Sequence, residues 1–178
     1  MFGLIGPRIY VKIKFAMYTL GILTVSDKGS AGLREDISGK VTREMIVSTG
    51  NFQVVRYDIV PDEKEIIAGK LINWSDEGID VILTNGGTGL AERDVTPEAT
   101  LSVIEKEVPG IPEAIRIGTL NRTPMAMLSR ATAGIRKKTL IVNMPGSPKA
   151  VKEYIEIIAP VLPHAVEILK GIVTEHKK

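Results

Sequence analysis

Short apolar runs alternating with amphipathic stretches predict an α/β fold with three layers, α/β/α, around a mostly parallel central sheet. Two further observations support this reading. The stretches between the runs are helical in period and roughly 10–15 residues long, enough for crossovers between parallel strands. The runs themselves end in turn residues and carry apolar side chains on both faces, as strands covered by helices on either side must.

The elements follow in order. Leu20-Gly21-Ile22-Leu23-Thr24-Val25 is an apolar run that stops at Ser26-Asp27-Lys28-Gly29-Ser30, and reads as a buried strand. Val41, Met45 and Ile46 share one face of a helix over residues 39–48. Residues 52–60 are rich in β-branched side chains and alternate, giving a second strand. Pro61-Asp62 opens a helix with Ile67, Leu71 and Trp74 at helical spacing, and Asp76-Glu77-Gly78 closes it. Residues 79–84 form the clearest strand of all. Thr96 is placed to cap a helix reaching about residue 107, with Pro97 in its first position. A helical segment is expected over 109–120 and strands over 131–135 and 138–143. Met144-Pro145-Gly146-Ser147-Pro148 then turns into a helix over 149–158, striped by Val151, Tyr154, Ile155 and Ile158. Pro160 breaks it, and a last amphipathic helix runs to about residue 173.

Composition narrows the function. A length of 178 residues suits one domain, expected over 17–178, with residues 1–16 as an extension ahead of it. Aromatics make up 4%, so aliphatic side chains must fill the core. A net charge of +2 with interspersed signs argues against nucleic acid, which calls for a basic stripe. The absence of cysteine removes disulfides, thiolate chemistry and Cys-ligated zinc. His164 and His176 stand far from any carboxylate motif, which argues against a zinc site or a Ser-His-Asp triad, and His164 is expected to pack on an apolar helix face. No run approaches the ~18 apolar residues of a membrane span. The apolar start lacks a preceding basic segment, so a cytoplasmic location is expected.

In open sheets of this class ligands bind beyond the carboxyl ends of the strands. Three turns fall there: Ser26-Asp27, residues 86–94 and residues 145–149. Gly86-Gly87-Thr88-Gly89 follows a strand and precedes a helix. Glycines let backbone N–H groups close around an anion, and a helix N-terminus adds a favourable dipole. The same stretch also reads as a plain tight turn. It lacks the Gly-Lys-Ser/Thr ending of a P-loop and the spacing of the dinucleotide fingerprint. Asp94, in the same loop, and Asp62, at another helix start, each read two ways. Either they cap helices, or they serve a hydrated Mg²⁺, which takes one or two carboxylates with phosphate oxygens and water. Arg93 reads as a phosphate contact or as a surface ion pair with Glu92 or Glu98.

Together these motifs resemble a known signature. Thr84-Asn85-Gly86-Gly87-Thr88-Gly89 with Arg93-Asp94-Val95-Thr96-Pro97-Glu98 is similar to that of the MogA and gephyrin G-domain family. Thr24-Val25-Ser26-Asp27, Leu128-Ser129-Arg130, Gly134-Ile135-Arg136 and Asn143-Met144-Pro145-Gly146-Ser147-Pro148-Lys149 extend the likeness in the right order, over roughly residues 18–172. The resemblance implies adenylylation of molybdopterin with Mg²⁺ and ATP, assembly as a homotrimer, and delivery of the product to a molybdenum-insertion enzyme. It implies that Asp62 and Asp94 are the critical aspartates and hold Mg²⁺. It further implies that Gly86, Gly87, Thr88 and Gly89 bind the ATP phosphates, and that Ser26, Asp27, Ser147, Pro148 and Lys149 face molybdopterin. Asn85 stands where Thr or Ser is frequent, and residues 1–16 are additional. The competing readings are a non-catalytic pterin-binding scaffold, and a paralogue of the same fold with other nucleotide chemistry.

Overall fold

A computed structural model describes residues 17–172. The elements run β1 (Tyr18–Val25), α1 (Asp27–Ser30), α2 (Ile37–Ser48), β2 (Phe52–Val60), α3 (Lys64–Asp76), β3 (Val81–Asn85), α4 (Thr96–Leu101), β4 (Lys106–Glu107) and α5 (Gly110–Leu120). A 3-10 turn (Pro124–Leu128), β5 (Ala133–Arg136), β6 (Thr139–Met144), α6 (Pro148–Ile158) and α7 (Leu162–Lys170) complete the chain. The sheet order is β2-β1-β3-β6-β5-β4; β2, β1, β3 and β6 are parallel, and the last two strands pair antiparallel, β5 with β6 and the edge strand β4 with β5.

The two-residue period of the strands sorts their side chains into two cores. Leu20 and Ile22 of β1, Val81 and Leu83 of β3, and Leu140 and Val142 of β6 pack under α2, α5, α6 and α7. Their neighbours Leu23, Val25, Ile82 and Ile141 pack under α3 and α4. This is the three-layer arrangement expected, and it explains why β3 and β6 are buried at every position.

Several elements depart from expectation. The helix after the glycine loop stops at Leu101, because the backbone beyond it is drawn to the sheet edge. Glu105 donates to the Ile135 carbonyl (2.7 Å) and Val108 to that of Ala133 (2.8 Å), which makes β4 from residues expected to be helical. Thr96 does not cap that helix but begins it, and Val95 occupies the cap position without a side-chain bond. The short α1 was not expected, and α2 starts two residues early because the Asp36 carboxylate caps it through Gly39 N–H. His164 lies exposed against Glu167 rather than packed. The expected extension over 1–16, His176 and the end of the expected final helix fall outside the described residues; within them α7 closes at a left-handed Gly171.

Candidate active site

Parallel pairing aligns the carboxyl ends of the strands, with Val25 opposite Val60, Thr24 opposite Asn85 and Asn85 opposite Met144. The turns after these strands therefore converge, and a cavity of about 590 Å³ opens between them. The chain passes from β1 to β2 on one side and then returns from β2 to β3 on the other side of β1, which places this crevice at the switch point where such sheets bind ligands. Of the residues singled out in the sequence, Ser26, Asp62, Gly86, Gly87, Asp94, Ser147 and Pro148 line it. Thr88 and Gly89 instead face a smaller, mainly apolar cavity of about 250 Å³ with Ser129 and Tyr154. Asp27 and Lys149 are exposed and line neither cavity.

The glycine loop is held by contacts that admit no side chain. Gly86 has φ 103°, and a Cβ there would lie 2.4 Å from the Val25 carbonyl oxygen. Gly87 has φ 64°, and its Cβ would lie 2.2 Å from the Thr96 hydroxyl. Arg130 clamps the loop from behind. Its backbone N–H donates to the Thr88 carbonyl (3.0 Å), its Nε to Gly89 (2.7 Å) and an Nη to Asp94 (2.5 Å), while the guanidinium pairs with Glu98. Thr96 Oγ1 and Asn85 Nδ2 are buried with no hydrogen-bond partner, and Asn85 lines the larger cavity. Buried polar atoms seldom go unpaired, so Asn85 Nδ2 marks a place for a ligand to complete, whereas Thr96 lines neither cavity.

Neither aspartate caps a helix. Asp94 Oδ2 accepts from Ala91 N–H at 2.9 Å. Asp62 Oδ2 accepts from Asp27 N–H (2.8 Å), and Asp62 N–H donates back to Asp27 Oδ1 (3.0 Å). Arg93 pairs with Asp27 and Glu63, not with Glu92 or Glu98. Burial pushes the Asp62 carboxyl up, and the charges of Asp27 and Asp94 push it further; the Asp27 amide and Arg93 only partly offset this. The Asp27 carboxyl goes the other way, held below its ordinary value by Arg93 and the Asp62 amide. The cavity wall is thus short of positive charge at Asp62. All-oxygen donors suit a hard cation. No group of three or more His, Cys, Asp or Glu able to hold a metal occurs among the described residues. Two carboxylates without a full cage match Mg²⁺, which keeps water and substrate oxygens in its shell.

One part of the site escaped the sequence reading. Asp36, buried at 9% exposure, lines the cavity with Thr24 and Ser38. Its Oδ2 accepts from Thr24 Oγ1 and Tyr57 OH (both 2.5 Å), and its Oδ1 from Ser38 Oγ and Gly39 N–H (both 2.8 Å). Burial raises this carboxyl, but the hydrogen bonds from Thr24, Tyr57, Gly39 and Ser38 together bring it below its usual value. The available signal was an Asp three residues before Gly39 at a helix start, which reads only as a cap.

A glycine loop and two carboxylates facing one crevice define an α/β protein with an acidic ligand cavity at the carboxyl edge of its sheet. Residues 21–164 match the family model described as "Probable molybdopterin binding domain", and the chain belongs to that family. It is 44% identical over 154 residues to a Helicobacter pylori protein named molybdopterin adenylyltransferase, covering 85% of this chain and 88% of that one. An Escherichia coli protein of the same name is 38% identical over 168 residues, covering 85% of each. Among solved structures, the molybdopterin biosynthesis enzyme MoaB of Thermus thermophilus superposes with a TM-score of 0.82 at 52% identity, covering 87% of this chain and 98% of that one.

Proposed function

We propose that this chain is a molybdopterin adenylyltransferase, which transfers AMP from ATP to the terminal phosphate of molybdopterin with Mg²⁺ and releases pyrophosphate. The observation that carries the reading is the pair Asp62 and Asp94 beside a glycine loop, in a cavity of about 590 Å³ at the carboxyl ends of the strands. A bond forms between a terminal phosphate oxygen of the pterin and the α-phosphorus of ATP, and the bond from that phosphorus to the β-bridging oxygen breaks. Two polyanions must meet, so positioning and charge control dominate. Bound Mg²⁺ supplies charge neutralisation of the triphosphate and of the leaving pyrophosphate. Asp62 and Asp94 would hold that ion. Gly87 brings its backbone N–H to the ATP phosphates; Gly86 gives its own to the Met144 carbonyl and serves by leaving room, and Thr88 and Gly89, which face the smaller cavity, carry the loop away from them. Ser26, Ser147 and Pro148 form the pterin side, with Lys149 reaching in on its flexible stem from the first turn of α6. Asp27 leaves the pterin side, because its carboxylate is engaged by Arg93 and the Asp62 amide.

The domain is proposed to span residues 17–178, with 1–16 as an extension, and to work as a cytoplasmic homotrimer passing its product to a molybdenum-insertion enzyme. No helix among the described residues is long and apolar enough to cross a membrane. The test is incubation of the purified chain with molybdopterin, ATP and Mg²⁺ while pyrophosphate is measured. Release dependent on all three is expected. Asp94→Ala is expected to lower turnover by roughly 10²–10³-fold with the fold intact. Near-normal turnover in that variant removes Asp94 from the assignment.

A further inference from the structure

The two aspartates sit on loops that follow different strands, β2 and β3, so something must fix one against the other. The connection runs through residues that face neither cavity. Asp62 spends Oδ2 on the Asp27 amide, while its Oδ1 faces Gly87, 3.4 Å from where a Cβ would stand. One oxygen is anchored and the other is presented to the glycine loop. Asp27 closes the ring by accepting from the Asp62 amide, so the turn after β1 and the turn after β2 hold each other by reciprocal backbone-to-carboxylate bonds. Arg93 then locks the ring to the third loop. Its Nη2 lies 2.8 Å and 3.0 Å from the two Asp27 oxygens, its Nε 3.2 Å from Oδ2, and its Nη1 2.8 Å from Glu63. The residue after Arg93 is Asp94.

We propose that Asp27 and Arg93 form a brace that sets the spacing of Asp62 and Asp94, making them positioning residues for the reaction rather than ligand contacts. This rests on the function proposed above. Arg93, Asp27 and Glu63 are each about half exposed, at 54%, 47% and 48% of their side chains, so the ion pairs themselves add little to stability. Their consequence is geometric, and it belongs to the rate. Outer-shell residues of this kind typically contribute roughly 10–100-fold to metal affinity or activity.

The brace makes a distinctive prediction, because its two members act as one unit. Arg93→Ala and Asp27→Ala are each expected to lower turnover about 10–100-fold and to raise the Mg²⁺ concentration for half-maximal rate, with little change in KM for ATP. The double variant is expected to be no worse than either single one. Asp27→Asn keeps an acceptor for the Asp62 amide and is expected to fall between wild type and Asp27→Ala. Arg93→Lys, which loses the fork, restores only part of the rate. If the two losses multiply, or if KM for ATP carries the whole effect, Arg93 touches the nucleotide directly and the brace is overturned. Amide hydrogen exchange at Asp27 and Asp62 supplies a second readout that needs no turnover. Both amides are expected to exchange at least several-fold faster in Arg93→Ala, and unchanged exchange overturns the proposal. A wild-type chain that releases no pyrophosphate refutes the proposed function instead, and the exchange experiment still decides whether the brace exists.

Discussion

Asp62 carries two burdens, since the position that makes it useful also makes it uncomfortable. Burial and the neighbouring charges of Asp27 and Asp94 raise its carboxyl above the ordinary value of 3.8, so the folded chain keeps that proton to a higher pH than the unfolded chain does. Between those two values stability falls as pH rises, and the deficit persists at neutral pH. Asp62→Asn removes the charge while keeping an acceptor for the Asp27 amide. The variant is therefore expected to lose turnover and to melt at a higher temperature than wild type at pH 7. The difference should vanish as pH drops below the unfolded carboxyl value. Melting curves from pH 3 to 8 check this; a lower midpoint at pH 7 means that Arg93 outweighs burial and like charge at this residue. A site that stores instability in this way is expected where function opposes stability.

At the scale of elements, the glycine loop is rigid because β1 and β6 press on it from below. Gly86 N–H donates to the Met144 carbonyl (3.0 Å), and a Cβ at Gly86 would lie 2.4 Å from the Val25 carbonyl oxygen. Gly86→Ala combines a backbone conformation foreign to L-residues with a clash against main chain rather than a yielding side chain. It is expected to cost at least about 2 kcal/mol in urea unfolding, or to displace the loop and abolish turnover. Full stability together with full turnover would mean that the loop adapts freely. The strands that build this floor were legible in the sequence, since β1, β3 and β6 are apolar on both faces and end in turn residues. β4 was not. Lys106-Glu107 is exposed and charged, and only its pairing with β5 makes it a strand. The boundary error in α4 has the same root, because sheet-edge hydrogen bonds formed by distant residues overrode local helical pattern. In the site, Asp62, Asp94 and the glycines stood out by residue type. The Asp36 cluster did not, since its meaning lies in Thr24 and Tyr57, which reach it from two strands.

On the scale of the whole molecule, the proposed homotrimer must cover apolar surface, and one region presents it. Ile117 and Leu120 on α5 and Met125, Met127 and Leu128 in the adjoining 3-10 turn are exposed, with Met125 and Met127 at 64% and 67%. Exposed apolar side chains gathered in one place mark association surfaces more often than chance. The smaller cavity opens here, and Met125 and Leu128 line it together with Thr88 and Gly89 of the glycine loop. A subunit seated on this patch would therefore bear on the loop at Thr88 and Gly89, which do not line the larger cavity. Sedimentation of the wild-type chain is expected to give about three times the chain mass of 19.3 kDa. Met125→Glu combined with Met127→Glu is expected to shift the protein to monomer, since charge at an apolar interface core is strongly disfavoured. Because both side chains are exposed in the single chain, the monomer should keep its far-ultraviolet circular dichroism. Its KM for ATP is expected to rise as the glycine loop loosens. A wild-type monomer at micromolar concentration removes the trimer. A trimer that survives both substitutions places the interface elsewhere, and dissociation without change in KM separates assembly from the glycine loop.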